Sequence, residues 1–134
     1  MEWKLDSTRP IYSQIIEKVE LDIIAGRYRP GQQLPSVRDL ALTAGVNPNT
    51  MQRALSELER SGLLESRRTS GRFITEDTGM ITEIRNSLAE EQIADFLEKM
   101  RELGITGEDL INRLTAEARK QVAAKEKMPA AEGV

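Results

Sequence analysis

The side chains best equipped for chemistry lie between Asn49 and Arg72, and they are amides and guanidiniums. Asn49, Thr50, Gln52 and Arg53 fall close together, and Arg67, Arg68 and Arg72 follow. An amide offers a donor and an acceptor side by side to an adenine edge, a guanidinium fork matches two acceptors of guanine, and a hydroxyl can meet a base or a phosphate. No lysine stands among them. An arginine-only set suits planar, two-point recognition, which a compact ammonium cannot provide. The chemistry on offer is hydrogen bonding to flat edges and phosphates, and not bond breaking. The chain has no cysteine and no histidine, so the usual nucleophile–base pairs and most transition-metal sites are out of reach. Carboxylates such as Glu90, Glu91 and Asp95 read as a solvated helix face. No catalytic residue, no metal site and no cofactor is expected.

These residues need elements to hold them. Asn47 is a candidate N-cap and Pro48 suits the first helical position, after which Met51, Ala54, Leu55 and Leu58 form one apolar stripe up to Gly62. With that stripe inward, Asn49, Arg53, Ser56 and Arg60 point outward, flanked by Thr50 and Gln52. Arg60 has Glu57 and Glu59 beside it, so a local ion pair competes with any phosphate contact. Before this helix, Ser36 can cap a shorter one in which Val37, Leu40 and Ala41 face inward and Gly45 ends the run. Small Ala41 lies four residues before that glycine, where two helices must approach closely. Two short helices joined by a glycine turn describe a helix-turn-helix.

Upstream, Ile11, Ile15, Ile16, Val19 and Ile23 predict a helix from Pro10 to near Gly26, and Pro30-Gly31 fits a type II turn. Downstream, LLESRRTSGRFI reads as two short strands around an arginine-rich turn, anchored by Phe73 and Ile74. Tyr12, Tyr28 and Phe73 are read as core residues, not as stacking platforms. The remainder predicts two helices. One carries Met80, Ile81, Ile84, Leu88, Ile93, Phe96, Leu97, Met100 and Leu103 and ends at Gly104; the other follows Thr106 with Leu110, Ile111, Leu114, Ala118 and Val122 inward.

The expected fold is therefore mainly α with a small β-wing. A winged helix-turn-helix DNA-binding domain spans residues 1–76, a two-helix dimerisation segment spans 77–126, and a disordered tail covers 127–134. Of 134 residues, 39% are hydrophobic and 31% charged, an ordinary globular balance. The net charge of −3 hides an uneven distribution. Residues 1–76 hold eleven Lys/Arg against ten Asp/Glu, whereas residues 77–134 hold eight against twelve. The acidity sits away from the arginine-bearing stretch. A charged start, the absence of any run near 20 apolar residues and the lack of cysteine favour a cytoplasmic protein with no membrane partner.

In the major groove of B-DNA the N-terminal turns of a helix reach base edges. Asn49, Thr50, Gln52 and Arg53 would therefore read sequence. Arg67, Arg68 and Arg72, around Gly71, would lie along the backbone and add affinity without sequence information. A long apolar face from Met80 to Leu103 exceeds what one small domain covers. Ile84, Leu88, Ile93, Phe96, Leu97, Met100, Leu110 and Leu114 are thus candidates for a two-fold homodimer interface, against the plainer reading that this face packs on the chain's own winged domain. The alternative to an operator binder is a winged-helix module for protein or RNA, which would expose apolar anchors where this helix exposes amides and arginines.

The stretches PIYSQIIEKVELDIIAGRYRPGQQLPSVRDLA, GVNPNTMQRALSELERSGLLESRR and SGRFI resemble the GntR family of bacterial transcription regulators, over about residues 9–75. The resemblance implies a winged helix that binds operator DNA as a homodimer. It implies DNA contacts by Arg38, Asn49, Thr50, Gln52, Arg53 and Gly71. Two departures stand out. Pro48 occupies a position where many members carry a basic residue. The wing, usually Gly-x-Gly-Thr, reads TSGR here, so Thr69 replaces a glycine and Arg72 is an added charge. About 58 residues after the wing cannot hold a large effector domain, and two helices alone resemble the YtrA-type branch, whose members often control transporter operons. A repressor is the expected role, and a small-molecule effector is an open partner that no residue cluster marks.

Overall fold

The computed structural model describes residues 3–126, so the tail expected at 127–134 lies outside the described residues. The order is α1 (Ile11–Ile24), α2 (Val37–Ala44), α3 (Pro48–Ser61), β1 (Leu64–Arg67), β2 (Gly71–Ile74), α4 (Thr78–Glu102) and α5 (Gly107–Glu126). The fold is mainly helical with one antiparallel wing, as the patterning predicts.

The inward stripe of α1 supplies Ile15, Val19 and Ile23 to the core. Pro10 sits one place earlier than expected. Its ψ of 131° makes it the extended cap, and the helix starts at Ile11. The same face also buries Gln14 and Asp22. Gln14 holds the preceding arm, with Nε2 donating to the carbonyls of Asp6 (2.7 Å) and Arg9 (3.0 Å). Asp22 accepts from Lys18 Nζ and Arg27 Nη1, both at 3.2 Å. After α1, Gln32 N–H donates to the Arg29 carbonyl at 3.0 Å and closes the expected Pro30-Gly31 turn.

Both caps of the helix-turn-helix form. Ser36 Oγ accepts from Asp39 N–H at 3.1 Å and Asn47 Oδ1 from Asn49 N–H at 2.7 Å. Between them Gly45 takes φ +72°, a left-handed conformation that lets the chain reverse without a side-chain clash. Helix α3 packs against α1, α2 and β1. Its stripe of Met51, Ala54, Leu55 and Leu58 is fully buried, each large side chain contributing roughly 1.5–3 kcal/mol over exposure.

The wing pairs Leu64 with Ile74 and Arg67 with Gly71. Beyond the two expected strands there is a third partner. Gln33 bridges Phe73 on the open side of β2, with Leu34 N–H bonded to the Arg72 carbonyl (2.9 Å) and Ile74 N–H to the Gln32 carbonyl (2.8 Å). The edge of the wing is thereby satisfied by backbone from the turn before α2. Leu63, Leu64 and Ile74 anchor the hairpin on the core. Of the three aromatics read as core, Tyr28 is buried, but Tyr12 and Phe73 are only half-buried. Each presents its ring to an arginine instead.

The chain divides into two compact units between Ser87 and Leu88, inside α4. The first turns of α4 belong with the winged core. Asp77 Oδ1 accepts from Met80 N–H at 3.0 Å, and Met80, Ile81 and Ile84 pack against the core cluster. Ile84, named as a dimer-interface candidate, thus lies against its own chain. In the second unit the picture differs: neither α4 nor α5 contains a buried residue. Among the described residues no helix is long and apolar enough to cross a membrane.

Candidate nucleic-acid interface

The buried stripe of α3 fixes what its other face presents. Asn49, Gln52 and Arg53 are exposed and Thr50 is half-buried. Asn49, Thr50 and Arg53 line one shallow concavity with Ile11 and Tyr12 from the start of α1. The Asn47 side chain is occupied by capping, so it orders the first turn and leaves reading to its neighbours. Arg38 is exposed in the first turn of α2.

The arginines are held in three different ways. Arg53 lies over the Tyr12 ring, its Cζ 3.9 Å from the centroid. Arg67 lies over the Phe73 ring at 4.0 Å and is 3.5 Å from the exposed carboxylate of Glu76. The ring contact leaves the charge of Arg53 available, whereas Arg67 also donates from Nη2 to Glu76. Arg72 is the exception, and it corrects the expectation of an added DNA-facing charge. Its Nε donates to Glu59 Oε1 at 2.8 Å, and its side chain is only 16% exposed. Hydrogen bonding from Ser66, then from Arg72, holds Glu59 below the ordinary carboxylate range against the opposing effect of burial. Arg72 therefore ties the wing to the end of α3. Arg60 resolves toward the local option, paired with Glu57 at 3.1 Å.

At the wing tip Arg68 is exposed. Gly71 takes φ +100°, and a Cβ there would meet Gln33 Nε2 at 3.3 Å. Gln33 Nε2 in turn donates to the Ser70 carbonyl. Gly71 and Arg72 share a second concavity with Gln33, Ser36, Val37 and Ser70, so the wing turn sits over the start of α2. Among the described residues, no cluster of carboxylates is placed to hold a metal ion.

Residues 11–74 match the family of bacterial regulatory proteins called gntR. The HTH-type transcriptional regulator YhcF of Bacillus subtilis is 40% identical over 111 residues, 83% of this chain and 92% of its own length. The chain belongs to the GntR family of bacterial transcription regulators. The HTH-type transcriptional repressor YtrA of Bacillus subtilis is 37% identical over 97 residues, covering 72% of this chain and 70% of its own. A GntR family transcriptional regulator from Listeria monocytogenes has the same fold at a TM-score of 0.79, with 37% identity over 84% of this chain and 98% of that one. The DNA-binding domain of AraR, solved in complex with its operator ORX1, matches at a TM-score of 0.52 and 28% identity, over 56% of this chain and 96% of that one.

This GntR chain is a DNA-binding transcription regulator with a winged helix, and its Asn49, Thr50 and Arg53 converge on one surface. Two further residues of this GntR surface escaped the sequence reading. Tyr12 passes for core because aromatic residues on an apolar helix face usually are. Gln33 carries no signal at all, since its role depends on β2 lying beside it.

Proposed function

We propose that this GntR regulator is a repressor that binds an inverted-repeat operator as a homodimer. One observation carries the reading. The exposed face of α3 offers Asn49, Gln52 and Arg53 around a wholly buried stripe, so side chains able to distinguish bases stand on a rigid helix. Asn49, Thr50, Gln52 and Arg53 read base edges. Arg38, Arg67, Arg68 and Gly71 hold the backbone, and Arg72 sets the wing. Residues 1–76 form the DNA-binding part, and residues 77–126 form the dimerisation segment through Leu88, Ile93, Phe96, Leu97, Met100, Leu110 and Leu114. Support for the dimer comes from two long helices in which no residue is fully buried. Support for repression, and for a transporter operon as the target, comes from similarity to the YtrA-type branch, of which one relative is named a repressor.

The test is selection of duplexes by the purified protein from a random pool. The expected product is an inverted repeat whose half-sites lie about one helical turn, or a multiple of it, apart. Its binding should weaken steeply with salt while keeping a large preference over random duplex. Repeating the selection with the small molecules of a cell extract tests for an effector. Enrichment of no sequence in either condition would remove the proposal.

A further inference from the structure

Arg53 and Arg72 are supported by opposite means. Arg72 is neutralised by Glu59, whose carboxylate takes its Nε–H. Arg53 lies over a ring, its Cζ 3.9 Å from the centroid, and a guanidinium that lies flat on a ring uses none of its in-plane N–H groups. Stacking thus narrows the conformations of a long side chain while leaving its charge and its two-pronged edge intact. The donor of that ring, Tyr12, is the second residue of α1, half-buried against the core, and α1 is packed along α3. The ring therefore moves with the scaffold and not with a loop. It also lines the same concavity as Asn49 and Thr50, so Arg53 is steadied beside the other outward residues of the first two turns.

We propose that Tyr12 is a positioning residue for sequence discrimination: its ring holds the Arg53 guanidinium in the pose that reads a base edge. This rests on the reading of α3 as the recognition helix. A freely rotating arginine would spend part of its interaction with a base on becoming ordered, whereas one already stacked loses less on binding. The discrimination set by Arg53 should therefore depend on a residue on another helix.

The experiment uses the full chain, a duplex that it selects from a random pool, and a random-sequence duplex as competitor. Tyr12→Leu should lower the preference for the selected duplex by roughly three- to tenfold, the range expected for an exposed to partly desolvated cation–π contact. Tyr12→Phe, which keeps the ring, should retain the preference. In an Arg53→Ala background Tyr12→Leu should add no further loss. Thermal unfolding separates discrimination from folding, because a merely structural role would lower stability without this dependence on Arg53. A second measurement needs no variant: in the free protein the ring current of Tyr12 should shift the Arg53 side-chain protons upfield in NMR spectra. An unchanged preference in a folded Tyr12→Leu, an equal loss with and without Arg53, or unshifted Arg53 resonances would each overturn the proposal. If Arg53→Ala itself leaves the preference intact, the recognition-helix reading fails first, and that outcome is distinct.

Discussion

Three arginines within some twenty residues of this chain meet different neighbours. Arg53 and Arg67 lie on aromatic rings, and Arg72 is spent on a carboxylate. Base reading and backbone holding should then separate in binding data. Arg53→Ala or Gln52→Ala should cost about 1–3 kcal/mol on the preferred duplex and relax sequence preference. Arg67→Ala should instead weaken all duplexes nearly evenly and reduce the salt dependence, as phosphate contacts do. Competition binding against single-base variants measures both; the same uniform loss from both changes would refute the division. Thr69 gives a prediction about stability. It holds φ +67°, the only non-glycine among the described residues at positive φ, and a β-branched side chain is disfavoured there. Family resemblance places a glycine at this position. Thr69→Gly should therefore stabilise the protein by about 1 kcal/mol, the relief of strain exceeding glycine's extra entropy in the unfolded chain. Thermal melts that show no gain would contradict it. At this scale residue type was legible but partnership was not: nothing in the sequence separates Arg72 from Arg68, because Glu59 becomes a neighbour only after the hairpin folds back.

At the scale of elements, local physics and long-range pairing behave differently. The caps at Ser36 and Asn47, the left-handed Gly45 and the stripe of α3 are set by residues within a few positions of each other, so the sequence showed them directly. The pairing of residues 32–34 with β2 joins segments about forty residues apart, and its polar members carry no periodicity to announce it. Buried Gln14 and Asp22 were hidden for a related reason: their types argue for exposure, and only the backbone carbonyls and cations they meet explain their burial. The tie between wing and recognition helix is likewise non-local and should be sensitive to acid. Ser66 and Arg72 depress the Glu59 carboxyl in the folded state. Its stabilising contribution is therefore complete above the ordinary glutamate value of about 4.3 and is lost as pH falls below that, through the folded value. Glu59→Gln should be less stable than the wild type near neutral pH. The gap should hold above about 4.3 and close as pH falls below it. Denaturant unfolding on both sides of that value checks it, and a gap independent of pH would show that Glu59 acts through packing alone.

For the molecule as a whole, the question is why α4 and α5 exist as helices. Isolated helices in water draw little stability from propensity alone, and most of it comes from packing an apolar face. Yet neither helix has a buried residue, and Ile93, Ile111 and Val122 are each more than half exposed. The first turns of α4, at Met80, Ile81 and Ile84, pack on the winged core. The remaining apolar positions, Phe96, Leu97 and Leu114 among them, recur at helical spacing, and a partner face would recover free energy by covering them. A second copy would supply an identical face, as a two-fold interface requires. It also fits the distribution of charge: the more acidic C-terminal half would be kept for pairing, and the arginine-bearing half left for DNA. Phe96→Glu together with Leu97→Glu changes the second compact unit alone and should turn a dimer into a monomer in sedimentation at micromolar concentration. A monomer holds only one recognition helix against the duplex, so its affinity for a full inverted repeat should drop by about 10²- to 10⁴-fold as the second, linked contact is lost. Binding to a single half-site should change little, since residues 49–53 are untouched. A wild-type monomer at that concentration, or a double variant that still binds the full repeat as tightly as the wild type, would separate α4 and α5 from dimerisation and leave their exposed faces to another partner.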